Sequence, residues 1–115
     1  MKTATARNRV TIAELKAMSS KMYGDMVKAV VDIEKRIMVV DAEMHVDEEK
    51  ALLEDGSKQW DVWGINLHPE EGEDDFIEFD SMVNIRPSQG NRSRNVESPE
   101  IQAKIRAAVK ELVVL

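Results

Sequence analysis

The sequence predicts an α+β fold: a mostly antiparallel sheet of about four strands with two to three helices packed on it. Three observations carry that expectation. Apolar residues recur at helical spacing over 12–23, 46–55 and from 98 onward. Between them lie β-branched or alternating apolar runs of strand length, at 27–33, 37–44, 60–67 and 77–85. The order helix, hairpin, helix, two strands, helix favours antiparallel pairing with the helices on one face.

Residues 1–8 show no periodicity and are expected to be a disordered tail, leaving 9–115 as a single domain. Arg9 and Val10 can add a short strand. Thr11 and Glu14 have the spacing of a capping box, and Ile12, Leu15, Met18 and Met22 follow on one face, with Gly24 at the stop. The runs at 27–33 and 37–44 read as a hairpin, although the break Glu34-Lys35-Arg36 lacks an Asn-Gly or Asp-Gly turn. The helix over 46–55 crowds acidic residues into its first turn, where the helix dipole favours them, and Gly56 ends it. The strand 60–67 stops at His68-Pro69. Ile77, Phe79, Val83 and Ile85 share one face of a long strand, or of two split near Asp80-Ser81, and Pro87 ends the pairing because it has no N–H. Ser98 and Pro99 open the last helix, whose stripe is Ile101, Ile105, Val109 and Leu112.

A chain of 115 residues holds one core. Aromatic residues make up only 4%, so Val, Ile, Leu, Met and Ala must fill it; the seven Met residues are expected mostly inside. There is no Cys, which excludes disulfides, thiolate chemistry and Cys-based zinc sites. The first residues carry charge without an apolar stretch behind them, unlike a signal peptide, and no run approaches the ~20 apolar residues of a membrane span. A cytoplasmic protein without membrane contact is the expectation. The net charge of −6 is uneven: residues 1–40 sum to +4, residues 41–80 to −13 and residues 81–115 to +3. An acidic middle argues against nonspecific nucleic-acid binding by the whole surface and leaves room for a local basic site near the C-terminal end.

Two stretches are distinctive as strings. One runs AVVDIEKRIMVV, then EMH and DEEKALLEDGSKQWDVWGINL; the other is FIEFDSMVNIRPSQGNRSR. Over about residues 12–110 the chain is similar to a family of short bacterial and archaeal proteins known only as a conserved domain of unknown function. The resemblance implies a compact α+β domain and no established activity.

The densest chemistry lies between Asn84 and Arg94. Three guanidiniums, with hydroxyls and carboxamides around Gly90, suit phosphate or carboxylate oxygens. Arg86, Ser88, Gln89, Asn91, Arg92 and Arg94 are therefore the expected ligand contacts. Arg86 stands first because it ends a strand. The competing reading pairs these arginines with the chain's own carboxylates. The segment is not a P-loop, because the Gly-Lys-Ser/Thr ending is missing. A second group is Asp41, Glu43, His45, Asp47, Glu48 and Glu49. On a strand the first three of these would share a face, as a weak metal or acid–base arrangement or as a solvated edge. The acidic run Glu70 to Asp75 lacks EF-hand spacing and reads as a solvated loop. Trp60 and Trp63 point opposite ways on a strand, so one enters the core and the other is left for a base or a partner.

These residues support three functions. The first is a binding module whose Arg-rich loop takes a phosphorylated small molecule or RNA. The second is a hydrolase-type enzyme in which Arg86 stabilises negative charge and Glu43, His45 or Asp80 acts as base. The third is a structural or regulatory protein that docks on a partner or oligomerises, a homodimer included, through its apolar edges. No metal site is expected from the sequence, and it names no cofactor.

Overall fold

Capping, turn chemistry and apolar spacing place the elements, and the structure, a computed structural model, describes all residues from 1 to 115. In chain order they are β1 (Lys2–Ala4), β2 (Val10–Thr11), α1 (Ile12–Lys21), β3 (Val27–Asp32), β4 (Ile37–Val40), α2 (His45–Glu54), β5 (Val62–Leu67), β6 (Ile77–Glu78), α3 (Pro99–Leu112) and β7 (Val113–Val114). The main sheet runs β1-β4-β3-β5-β6, and every neighbouring pair in it is antiparallel. A parallel pair, β2 with β7, ties the start of the fold to its end. The α+β class expected from the sequence holds.

The capping box forms. The Thr11 hydroxyl accepts from the Glu14 N–H at 3.0 Å and the Glu14 carboxylate accepts from the Thr11 N–H at 3.0 Å. Ser98 caps α3 by accepting from the Ile101 N–H at 3.2 Å, with Pro99 at the first position. The β3–β4 hairpin closes without Asn-Gly because Asp32 supplies the turn itself. Its Oδ1 accepts from the N–H groups of Glu34 and Lys35, each at 2.9 Å, and Arg36 takes the left-handed conformation that a tight reversal needs.

Three expectations are corrected. Residues 2–4 are not a loose tail. They form the edge strand β1, paired with β4, and Ala4 is fully buried in the core. The stretch 77–85 is not a long strand. It makes the two-residue β6 and then a 3-10 turn, Met82–Asn84, capped by the Ser81 hydroxyl. The helices do not share one face. Leu15 and Met18 of α1 and Ile105, Ala108, Val109 and Leu112 of α3 pack against Ala29, Val31, Trp63 and Ile65 on one side. Leu52 of α2 covers Val30, Val39 and Val62 on the other. The uninterrupted Ala29-Val30-Val31 of the central strand, buried on both sides, required two covering layers. No helix is long and apolar enough to cross a membrane.

Candidate functional site

The outer edge of β5 explains the Asn84–Arg94 motif. Strand β6 pairs only with Asn66 and Leu67, so residues 62–65 have no strand beyond them. An exposed edge there would leave peptide groups open to another chain. Side chains close it instead. The Asn84 carboxamide acts as a substitute peptide: Oδ1 accepts from the Gly64 N–H at 2.8 Å, and Nδ2 donates to the Gly64 carbonyl at 2.9 Å and to the Arg94 carbonyl at 3.0 Å. Arg86 continues the seal, donating from Nη2 to the Val62 carbonyl, from Nη1 to the Gln59 carbonyl at 2.8 Å and from Nε to the Val83 carbonyl at 3.0 Å. Its guanidinium lies over the Trp63 ring, 4.5 Å from the centroid, and Glu49 of α2 approaches to 3.6 Å. Only 7% of Arg86 is exposed; burial pulls its pKa down while Glu49 opposes that shift. Asn91 pins the returning chain, donating to the carbonyls of Asn84 and Asn95 at 2.7 and 2.8 Å and accepting from the Glu97 N–H at 2.8 Å.

The donors of Arg86 and Asn91, expected from the sequence to meet a ligand, are thus engaged by the protein itself. Ser88, Gln89, Arg92 and Arg94 stay at the surface. Arg94 donates to Asp80 at 2.6 Å, and Gln89 reaches the Trp60 carbonyl at 3.4 Å. Glu97 accepts from the Ser93 hydroxyl and from the Arg92 N–H, each at 2.8 Å, and both hold its carboxyl below the usual range. Of the three arginines, only Arg92 makes no ion pair.

Gly64 is fixed by the same cover. A Cβ there would stand 2.5 Å from Ser81 Oγ and 2.8 Å from Val83 Cγ2. Gly64→Ala should therefore push Ser81 and its turn off the strand and cost about 2 kcal/mol, in the range of an overpacked core. Urea unfolding measures it; an unchanged midpoint would mean that the cover yields freely.

The second group is also rearranged. Strand β4 stops at Val40, Asp41 takes a left-handed φ of 68°, and α2 begins at His45. Asp41, Glu43 and His45 therefore do not alternate on a strand. Instead His45 and Glu48, one helical turn apart, both face the sheet. His45 Nε2 contacts the Ile65 carbonyl at 2.8 Å, and burial lowers its pKa. Glu48 is fully buried, and neither carboxyl oxygen has a hydrogen-bond partner. Burial pushes its pKa to about 10, although the Ala42 N–H and Lys28 pull the other way. The Ala42 N–H points toward this carboxyl without closing a bond of good geometry.

Two concavities lie near these groups, one along α2 and one beside the β3–β4 turn. One, of about 500 Å³, is lined by Met1, Met22, Asp41, Glu43, Asp47 and Glu54 among others. The other, of about 240 Å³, lies between Asp32, Lys35, Lys58, Trp60 and Asp61. Arg86, His45 and Asp80 line neither, so the groups proposed for hydrolysis share no such cavity. The two Trp residues divide as expected: Trp63 is core and Trp60 is 58% exposed.

The sequence did not reveal a concentration of exposed apolar side chains around α2. Met44 and Val46 open the helix. Met82 and Ile85 sit on the 3-10 turn packed beside it. Trp60 follows the helix, next to Gln59, whose Nε2 donates to Glu49 at 2.9 Å. Met1 and Met22 border it, and the Tyr23 hydroxyl donates to the Glu43 carbonyl just before it. Four of the seven Met residues, expected mostly inside, are exposed instead (Met1, Met22, Met44 and Met82), Met22 among them although it continues the stripe of α1.

A family model described as a protein of unknown function (DUF5674) matches residues 4–112, in agreement with the resemblance carried by the NIRPSQGNRSR string. No curated protein and no solved structure matches the chain.

Proposed function

We propose that this chain, which belongs to the DUF5674 family of proteins of unknown function, is a docking module whose α2 face binds a basic, amphipathic segment of another protein. One observation carries the reading. Eight of the nine large apolar residues left exposed (Met1, Met22, Tyr23, Met44, Val46, Trp60, Met82 and Ile85) surround α2, and Leu115 is the exception. Apolar side chains scattered singly are ordinary, whereas a concentration on one layer marks an interaction surface. Methionine suits such a surface because it adapts to a partner's shape.

Charge selects the occupant. Besides the buried, protonated Glu48, residues 41–56 hold six carboxylates and one lysine. Two such faces repel each other, so a second copy does not dock face to face; a segment carrying Lys and Arg between apolar anchors does. The RNA or phosphorylated-ligand reading retains Arg92 and the exposed Trp60, but Asp61 and the acidic end of α2 stand beside that Trp.

An 18-residue amphipathic peptide of Leu and Lys is a suitable probe, read by the fluorescence of Trp60. Binding should shift the emission to the blue with saturation, and Met82→Ser with Ile85→Ser should weaken it about tenfold, equivalent to ~1.4 kcal/mol. The scrambled peptide and a Leu/Glu peptide should give no saturable shift. Equal response to all three peptides overturns the reading, as does tighter binding of poly(U) RNA, which would return the function to Arg92 and Trp60.

A further inference from the structure

We propose that the α2 face carries a modification site: a peroxide oxidises Met44 and Met82 to the sulfoxide, and the docked segment is then released. This rests on the reading of the α2 face as a docking surface and names what regulates it. The chain has no Cys, so all of its sulfur is thioether. Methionine oxidation follows exposure. Met44 is 51% exposed and Met82 69%, whereas Met38 is fully buried and Met18 nearly so. Met26 is half-buried just before β3. The other exposed methionines, Met1 and Met22, border the same helix. Peroxide therefore finds its most accessible sulfur on the docking face and leaves the core alone.

Met44 and Met82 flank α2 from two sides. Met44 is the residue before its first turn, and Met82 starts the 3-10 turn packed against it. Both offer a partner a flexible apolar anchor. In the reaction a lone pair on Sδ attacks one peroxide oxygen. The S–O bond forms as the O–O bond breaks. The sulfur gives up two electrons, the proton of the transferred oxygen passes to the leaving one, and the peroxide ends as water. The product has a strong dipole and an oxygen that needs a donor. Burying it under a partner's Leu side chains without that donor is unfavourable, so an anchor becomes an obstacle. The change is local, because neither residue belongs to the core clusters. Sulfoxide reductases reverse it, one enzyme for each sulfoxide epimer, with a thiol as the source of electrons.

The test treats the full chain with hydrogen peroxide, maps the added oxygen by peptide mass spectrometry and measures binding of the Leu/Lys peptide by calorimetry. Met44 and Met82 should each gain one oxygen well before Met18 and Met38 do, and the urea midpoint should hold. The oxidised protein should bind the peptide about tenfold more weakly, and the two reductases with dithiothreitol should restore the affinity. A Met44→Leu, Met82→Leu protein has no sulfur at these places. Whatever its own affinity, peroxide should alter that affinity by less than about twofold. Undiminished binding by the oxidised parent overturns the inference. So does an equal loss in the Leu variant, which would move the effect to Met1 or Met22. A fallen urea midpoint overturns it too, since unfolding would then explain the release. Failure of the untreated protein to bind the peptide sinks the docking surface itself, and this inference with it.

Discussion

Arg86→Ala should lower the stability of the protein by about 4 kcal/mol, the scale of removing one partner from a buried, hydrogen-bonded charge pair. The guanidinium serves the carbonyls of Gln59, Val62 and Val83, covers the Trp63 ring and answers Glu49. Truncation leaves three carbonyls without this donor and Glu49 without its cation, and opens a gap over an indole. A domain of this size is stable by only ~5–15 kcal/mol, so the loss is severe. Arg86→Lys should recover less than half of it, because one ammonium cannot fork across carbonyls that point from separate segments. Urea unfolding of the three proteins decides the matter. An arginine kept for a ligand behaves in the opposite way: its removal is neutral or stabilising, since a functional site is commonly held at some cost to the fold. Should the Ala variant be too unstable to purify, Glu49→Gln offers a milder probe, and a loss near 1 kcal/mol is expected there.

Arg86 also shows where the sequence was legible. Elements governed by local rules could be read directly: the Thr11–Glu14 box and the Ser98-Pro99 helix start. That one Trp is core and the other exposed was expected, but Trp60 is outward because it sits in the 3-10 turn Gln59–Asp61 before β5 rather than by strand alternation. What could not be read depends on partners distant in the chain. Asn84 bonds to Gly64, twenty positions away, and acts as a peptide group without being in a strand. From the sequence, Arg86, Asn91 and Arg94 look alike as polar residues of a loop. Only the unpaired side of β5 separates Arg86, which seals it, and Asn91, which holds the returning chain beside it, from Arg94, which pairs with Asp80 at the surface. The same holds for residues 2–4, whose strand exists because β4 offers an edge. Read as an alternating strand, residues 27–33 led to helices on one face only; the burial of Ala29, Val30 and Val31 on both sides emerges from the two helix layers themselves.

Glu48 gives the second large effect, and its sign is set by burial. In the unfolded chain this carboxyl ionises near pH 4.5; folded, it holds its proton to about pH 10. The folded state therefore binds the extra proton between those values, and stability falls as pH rises through that window, by at most ~1.4 kcal/mol per pH unit. His45 acts in the opposite direction at lower pH. Its pKa is lowered on folding, so its contribution is lost as pH falls below the ordinary imidazole value near 6.5. Above pH 7 the imidazole is neutral in both states, and the slope contributed inside the α2–sheet interface belongs to Glu48. Glu48→Gln removes the titration and keeps the shape. The variant should match or exceed the parent at pH 7, and its advantage should grow by about 2–3 kcal/mol between pH 7 and pH 9, two units at the unit cost of a shifted proton. Urea midpoints at the two values measure this growth. A constant difference would mean that Glu48 is already ionised in the fold, and a strongly destabilised Gln variant would mean that the charge is held by a partner.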